Sequence, residues 1–350
     1  MKIYLTPSDS IDAALFRNRL PNTEFHLQKG EYITMGNWLY QDYISLAPNC
    51  KLYGNGSTIK LSNTPIKAVN GIVRPDRDYN VFWAGNNTFI EDVIFDGNEQ
   101  AFRTDDWFVG GLRVIGNATL NNITVKNIRG SYNAANTLSK EIEVFGIVVT
   151  GNEGGSIIDT CSVVECPANS YVSGIYLGHN NNPKVSRITN CKVDIGASNW
   201  FGYSCNENGI IEHSTCKGPR TAFYNDTQIT NNVSISKCEF MDVDKLISLI
   251  IPVGSNDRKS NVKVVDTKVT FTSGAERHLV ELWDKNNNAV IKRQLGPVIL
   301  QNVTVNNSPS TKLYVACVGN DIRPTYIIET ILTNLATTPQ AKVEIFPNLT

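Results

Sequence analysis

One phrase recurs along most of this chain. It reads FIEDVIFDG at 89–97, TLNNITVKN at 119–127, IIDTCSVVE at 157–165, RITNCKVDI at 187–195, VSISKCEFM at 233–241, KVVDTKVTF at 263–271 and ILQNVTVNN at 299–307. Each copy is a short β-branched strand, a polar Asn, Asp, Thr or Lys corner, and a second alternating strand. A second phrase interleaves with it: FGIVVTG at 145–151, SGIYLGH at 173–179, WFGYSCN at 200–206, TAFYND at 221–226, KLISLII at 245–251 and HLVELWD at 278–284. This phrase steps from Ile147 to Ile175, Phe201, Ala222 and Ile247, at intervals of 28, 26, 21 and 25 residues. Short strands at that period, with Gly/Asn corners, mark an all-β solenoid. A βαβ fold would need amphipathic segments of about 10–15 residues between strands, and none is present. A sandwich or propeller leaves unexplained why like residues recur in like slots. In a solenoid each turn stacks on the last at about 4.8 Å, in parallel. That places Cys161, Cys191 and Cys238 in one slot with Val93, Ile123 and Val303.

Composition narrows the classes. Of 350 residues, 32 are Lys or Arg and 33 are Asp or Glu, so there is no basic footprint for a nucleic-acid partner. A hydrophobic fraction of 41% suits a packed core and not a disordered chain. No apolar run reaches the roughly 18 residues of a membrane span, so no membrane partner is expected. The opening MKIYLTPSDS has no long apolar stretch after its single Lys, so no secretory signal is expected there. The expectation is a cytoplasmic protein, a phage-derived one, or a mature secreted form. The eight cysteines form no CxxC pair, and the shared slot reads as free thiols used as small core hydrophobes. Ile11, Ala14 and Leu15 have helical spacing, with Asp9 or Ser10 as cap, which predicts a helix over about 9–20 covering the open end of the solenoid. Residues 308–350 fit the repeat less well and read as last turns or a C-terminal cap. No linker divides the chain, so 1–350 reads as a single domain.

The entry then reads Phe25–Leu27, Lys29-Gly30-Glu31-Tyr32, and Leu52-Tyr53-Gly54-Asn55-Gly56-Ser57-Thr58-Ile59, with Phe95-Asp96-Gly97-Asn98 further on. Short helix, strand, "pGxY" and "L.G.GstI" in that order resemble the right-handed parallel β-helix proteins of the pectate-lyase-like superfamily. The resemblance covers most of residues 9–307. It implies a right-handed parallel β-helix and carbohydrate chemistry: glycoside hydrolases, transglycosylases, polysaccharide lyases, epimerases and phage tailspike depolymerases. Scaffold alone does not fix which.

Candidate site residues come from alternation along the second phrase. Ile147, Val149, Ile175 and Leu177 should point inward, with Val148, Thr150 and Tyr176 outward. The same alternation puts Phe223, Glu281 and Trp283 outward. Tyr176 and Trp283 then serve as platforms for sugar rings. Just past these strands stand Glu153, His179, Glu207 and Asp226, from four consecutive turns at one corner. Neighbouring turns bring side chains about 5 Å apart and alternate turns about 10 Å. Retaining glycosyl transfer needs two carboxyls about 5–5.5 Å apart, and inversion about 6.5–9.5 Å. Glu207 and Asp226 are therefore the expected acid and base or nucleophile, with Glu153 and His179 assisting. His213 falls in the slot of Thr160, Asn190 and Lys237 and reads as a structural corner.

Asp105, Asp106 and Trp107 form a further substrate-binding candidate, a loop folding over the wall. The paired aspartates are similar to those of the pectin-hydrolase branch. That branch has "NTD" before the pair and "GHG" one turn after, whereas here Gly178-His179 lies 73 residues past Asp106 and NTD is absent. Its inverting chemistry is not carried over. Arg113, outward between Leu112 and Val114, can bind a sugar carboxylate bidentately. No metal site is expected, and no cofactor, with Ca²⁺ entering only if the protein is a lyase. The partner is a polysaccharide or oligosaccharide, bound by an enzyme that cleaves or rearranges a glycosidic bond. The alternatives are a uronate lyase or epimerase, and a non-catalytic fibre or adhesin. A homo-oligomer, trimeric if phage-like, is compatible with all three.

Overall fold

The computed structural model describes residues 1–38, 45–63, 79–99, 109–130, 143–150, 154–178, 184–205, 208–225, 232–251, 261–274, 276–284, 293–306, 312–318, 326–333, 335–338 and 343–345. Two parallel sheets form its walls, one of twenty strands and one of eleven. Each of the middle coils contributes two strands, separated by a corner, to the larger sheet and one strand to the smaller, whereas Lys51–Leu61, Thr88–Asp96 and Ala118–Lys126 run through their corners as single strands. The one antiparallel strand pairing described, Asn37–Trp38 with Tyr79–Ala84, lies at the start of the smaller sheet. A helix over Ile11–Arg17 sits at the entry, with Ile11 and Leu15 buried. Ser10 is its cap, accepting from the Ala13 N–H at 3.3 Å. Asp9 instead accepts from the Thr6 N–H at 2.7 Å, and the helix stops three residues short of its expected end.

The larger sheet stacks like on like. One inward column runs Phe25, Leu52, Ile90, Leu120, Ile158, Ile188, Ile211, Ile235, Val264 and Leu300, each beside the next. A second runs Ile59, Phe95, Val125, Val163, Val193, Cys216, Phe240, Val269 and Val305. Nearly all are sealed from water, in one continuous core from Leu5 to Leu313.

The corner between the two columns explains the polar slot of the repeat. Asp92, Asn122, Thr160, Asn190, His213, Lys237, Asp266 and Asn302 all have φ between 48° and 57°. That left-handed backbone is strained for residues other than Gly, Asn and Asp. Hydrogen bonds to the next coil offset the strain. The N–H of Thr160 donates to the Thr189 carbonyl, Asn190 to Glu212, His213 to Ser236 and Lys237 to Val265, all within 3.2 Å. His213 is thus a corner residue, as the repeat indicated.

The next position is the cysteine slot. Cys161, Cys191 and Cys238 are buried free thiols. Each donates to the carbonyl two residues earlier, at 3.2, 3.1 and 3.2 Å. Ser214 and Thr267, in the same slot, make the same bond at 2.9 Å. The slot therefore takes either a side chain that bonds this carbonyl or a purely apolar one such as Val93, Ile123 or Val303, which refines the reading of these cysteines as simple hydrophobes. Burial pushes the Cys161 thiol well up and the Cys238 thiol to about 11, which keeps them un-ionised and poorly nucleophilic.

Candidate functional site

The smaller sheet differs from simple alternation at one point. Ile147, Ile175, Tyr203, Phe223, Ile247 and Val280 are register partners on successive coils. The residue before each of them also faces the core. Ala222 and Phe223, Leu246 and Ile247, and Leu279 and Val280 are adjacent pairs, all fully buried in it. In earlier coils the extra inward position is glycine, because the walls touch there. A Cβ on Gly146 would lie 2.5 Å from Val163, and one on Gly202 2.3 Å from the Cys216 sulfur.

This doubled inward step corrects two expectations. The register runs 28 residues from Ile175 to Tyr203 and then 20 from Tyr203 to Phe223, so Phe201 is not the partner of Ile175. Phe223 points into the core with no exposed surface, and not outward. A one-residue shift in a strand exchanges its faces. Tyr176 and Arg113 do point outward, and Ile147, Val149, Ile175 and Leu177 point in.

Two outward columns result. One carries Phe145, Ser173, Phe201, Thr221, Lys245 and His278, and the other Trp83, Arg113, Val148, Tyr176, Ser204, Tyr224, Ser248 and Glu281. At one end the Arg113 guanidinium lies 5.2 Å from the Trp83 ring centre. The middle is an aromatic cluster separate from the core. Phe201 and Tyr224 stack at 5.0 Å, Trp200 meets Tyr224 edge-on at 5.4 Å, and Phe145 lies 5.5 Å from Tyr176. Phe201 is only 1% exposed and Tyr224 6%, while Tyr176, Phe145 and Trp200 are half-buried. The expected bare platform is a packed one, with Tyr176 and Trp200 at its rim.

Past the aromatics the same face turns polar. Lys245 Nζ stands 2.6 Å from Glu281 Oε2, and Ser248 Oγ donates to that oxygen at 3.1 Å. The Glu281 side chain is 6% exposed. His278 stacks on Tyr314 at 5.5 Å, and the Tyr314 hydroxyl donates to Glu276 at 3.0 Å. Burial holds the imidazole below its ordinary pKa, and nearby Lys245 adds to this against the pull of Glu281 and Glu276. Glu281 was expected outward, but Lys245, Ser248 and His278 were missed. Their signal is the alignment of KLISLII with HLVELWD, which sets Lys245 beside His278.

Glu207, Asp226, Glu153, His179, Asp105, Asp106 and Trp107 lie outside the described residues, as does the side chain of Trp283. The strands preceding the four corner candidates are described. Val149, Leu177 and Cys205 are register partners, and Asn225 Nδ2 donates to the Cys205 carbonyl at 3.0 Å. The described strands before these four positions thus end side by side on four consecutive coils. On the other wall a groove of about 630 Å³ holds Glu165, Asp194, Asp242, Lys192 and Lys217. Lys192 pairs with Asp194 at 3.1 Å, and Lys126 with Glu165 at 3.8 Å, as on an ordinary solvated surface. Among the described residues no three His, Cys, Asp or Glu side chains converge as a metal site, and no helix is long and apolar enough to cross a membrane.

No protein-family model matches the sequence, and no curated protein matches it. Solved structures do. The tailspike protein of E. coli bacteriophage HK620, in complex with a pentasaccharide, aligns at a TM-score of 0.63 and 13% identity over 95% of this chain. This chain spans 63% of the tailspike's length. The polygalacturonase of Erwinia carotovora aligns at 0.57 and 11% identity, over 98% of this chain and 94% of that one. The A-module of a mannuronan C-5 epimerase from Azotobacter vinelandii aligns at 0.51 and 12%, over 97% and 94%. With its parallel walls and stacked corners, this chain has the right-handed parallel β-helix fold that these structures share.

Proposed function

We propose that this protein acts on a polysaccharide lying across the outer face of the eleven-stranded sheet, and that it cleaves or rearranges a glycosidic bond there. The observation that carries this reading is the outward face itself. An aromatic cluster around Tyr176, Phe201 and Tyr224 adjoins an ion pair, Lys245–Glu281, whose carboxylate is buried. Aromatic faces take the apolar side of sugar rings, and charged hydrogen-bonding groups fix their hydroxyls. A buried ion pair contributes little net stability, so its presence on an outer wall favours a binding role. The tailspike's bound pentasaccharide and the polygalacturonase's name support a glycan as ligand for this fold.

In this reading Glu207 and Asp226 are the acid and the base or nucleophile, and Glu153 and His179 assist. Tyr176, Trp283, Arg113 and the Asp105-Asp106-Trp107 segment contact the sugar. Incubation with a polysaccharide panel tests it. New reducing ends without ultraviolet absorbance near 235 nm are expected for hydrolysis or transfer, whereas that absorbance would mean elimination. Glu207→Gln and Asp226→Asn should each lower the rate by at least about a hundredfold. Full activity in both, or glycan binding without turnover, would reject the catalytic assignment.

A further inference from the structure

The larger sheet begins with an open edge. Its first strand, Lys2–Leu5, pairs with Glu24–Leu27 and with no other described strand. The Met1 and Leu5 carbonyls accept from the Glu24 and Gln28 N–H groups, both at 2.8 Å. In a parallel ladder alternate residues bond to one neighbour, so Met1, Ile3 and Leu5 serve this pairing. The N–H and C=O of Lys2 and Tyr4 face the other way. At Thr6 the edge is closed. Asp9 accepts from the Thr6 N–H at 2.7 Å, and its own N–H donates to the Thr6 carbonyl at 2.9 Å. Two residues therefore carry four backbone groups along the edge, and such an edge is a template for another strand. The cap helix packs against Glu31–Thr34, where Thr34 Oγ1 donates to Asp12 at 2.7 Å, and Tyr4 stays 72% exposed. Five of the eight large apolar side chains exposed among the described residues, Met1, Tyr4, Phe16, Leu20 and Ile33, lie at this end. Apolar exposure gathered in one region marks an interaction site.

We propose that this edge is a homodimer contact, in which Lys2–Leu5 pairs antiparallel with the same strand of a second copy about a twofold axis at Ile3. That register sets Lys2 against Tyr4 of the second copy, and Tyr4 against its Lys2, each as a hydrogen-bonded pair. Each pair exchanges two bonds, so all four open groups of each copy are used and none is left over. The side chains are complementary in charge as well. Tyr4 stacks on His26 with one ring face, 5.1 Å between centres, and its other face is turned to the open edge. Lys2 of the second copy comes over that face as a cation on an aromatic ring. Lys2 is 61% exposed, and its present pair with Glu24 at 3.4 Å is a weak surface one whose loss leaves Glu24 in contact with Lys51 at 3.3 Å. The two Ile3 side chains, each packed on its own core, meet across the axis. A strand of unrelated sequence would answer the backbone groups, but it would bring neither the cation for Tyr4 nor the ring for Lys2. The contact uses the same patch on both copies and closes at two. It does not depend on the glycan reading.

Sedimentation of the intact protein over a range of concentrations tests the proposal, and a monomer–dimer equilibrium is expected. Tyr4→Pro removes an N–H that the pairing with Glu24–Leu27 does not use. It deletes two hydrogen bonds from the dimer, one per copy, and should raise the dimer Kd at least about a hundredfold. Lys2→Met keeps the aliphatic stem, loses the charge and should raise Kd about tenfold. Both variants should keep the far-ultraviolet spectrum of the parent, and Lys2→Met carries the test by itself if Tyr4→Pro does not. Ile3→Cys gives a positive sign. At a twofold axis the two Cα atoms of that residue lie about 4.5 Å apart, within the roughly 4.4–6.8 Å span of a disulfide. Oxidised glutathione, itself reduced to two thiols, should link them into a covalent dimer. A parent that stays monomeric or forms a trimer overturns the proposal. So does a dimer whose Kd neither substitution moves, or an Ile3→Cys variant that does not cross-link.

Discussion

The two walls are built from the same parallel stacking, yet their outer faces obey different rules. On the twenty-stranded wall the outward residues are solvated, and ion pairs such as Lys268–Glu239, 2.9 Å apart and about half exposed, join successive coils. On the eleven-stranded wall outward positions are sealed: Trp83 is 4% exposed, Val148 2%, Phe201 1% and Glu281 4%. A face that only had to meet water would not bury aromatic rings and an ion pair. The contrast is the reason the proposed glycan face is the second wall and not the first.

Mutations can break or sharpen that contrast. The largest effect is expected where the walls meet: Phe223→Ala should cost about 3–5 kcal/mol in urea unfolding, because it empties a fully buried site. Tyr176→Ala, on the outer rim, should cost only about 1 kcal/mol while weakening glycan binding. If both cost the same, the inner and outer faces have been misassigned. Next come the ion pairs. Lys245→Ala strands a buried carboxylate and should destabilise by about 3 kcal/mol. Lys268→Ala on the exposed pair should cost less than about 1 kcal/mol. Equal values would remove the argument that the Lys245–Glu281 pair is special.

A smaller effect concerns pH. The His278 pKa is lowered in the fold from an ordinary 6.5. Its contribution is therefore fully present above 6.5. It declines as pH falls below that value and is gone once pH has fallen through the lower folded pKa, because over that window the unfolded chain takes up a proton that the folded chain resists. Urea midpoints between about pH 7.5 and 5 should decline, and His278→Gln should flatten the decline. An unchanged slope would show that the imidazole is as easily protonated folded as unfolded. The smallest effect is expected in the cysteine slot. Cys191→Ser should cost under about 1 kcal/mol, since Ser214 already makes the same bond one coil on.

Legibility followed the same division. The larger sheet could be read because its corner accepts few residues: left-handed φ favours Asn and Asp, and a buried column repeats Ile, Leu and Val. Those constraints return once per coil and become visible as a phrase. The smaller sheet hid its register behind the doubled inward step. Simple alternation from Ala222 sends Phe223 to the wrong side, and nothing in TAFYND alone marks the bend. Tyr176 and Arg113 came out correctly because their neighbours, Ile175 and Leu177, and Leu112 and Val114, bracket them with core residues. Lys245 and His278 carry no signal along the length of their own phrases. Read down the stack, a lysine over a histidine beside a buried glutamate is a visible anomaly.

The corner column has a final consequence. Because each corner is secured by the carbonyl of the following coil, the coil is the indivisible unit of this architecture. A whole turn can be duplicated or deleted while every bond finds an equivalent partner, whereas one residue added within a strand inverts everything after it. The molecule can therefore lengthen only in whole steps, and its recognition surface would grow or shrink by discrete rungs, like the graduations of a ruler.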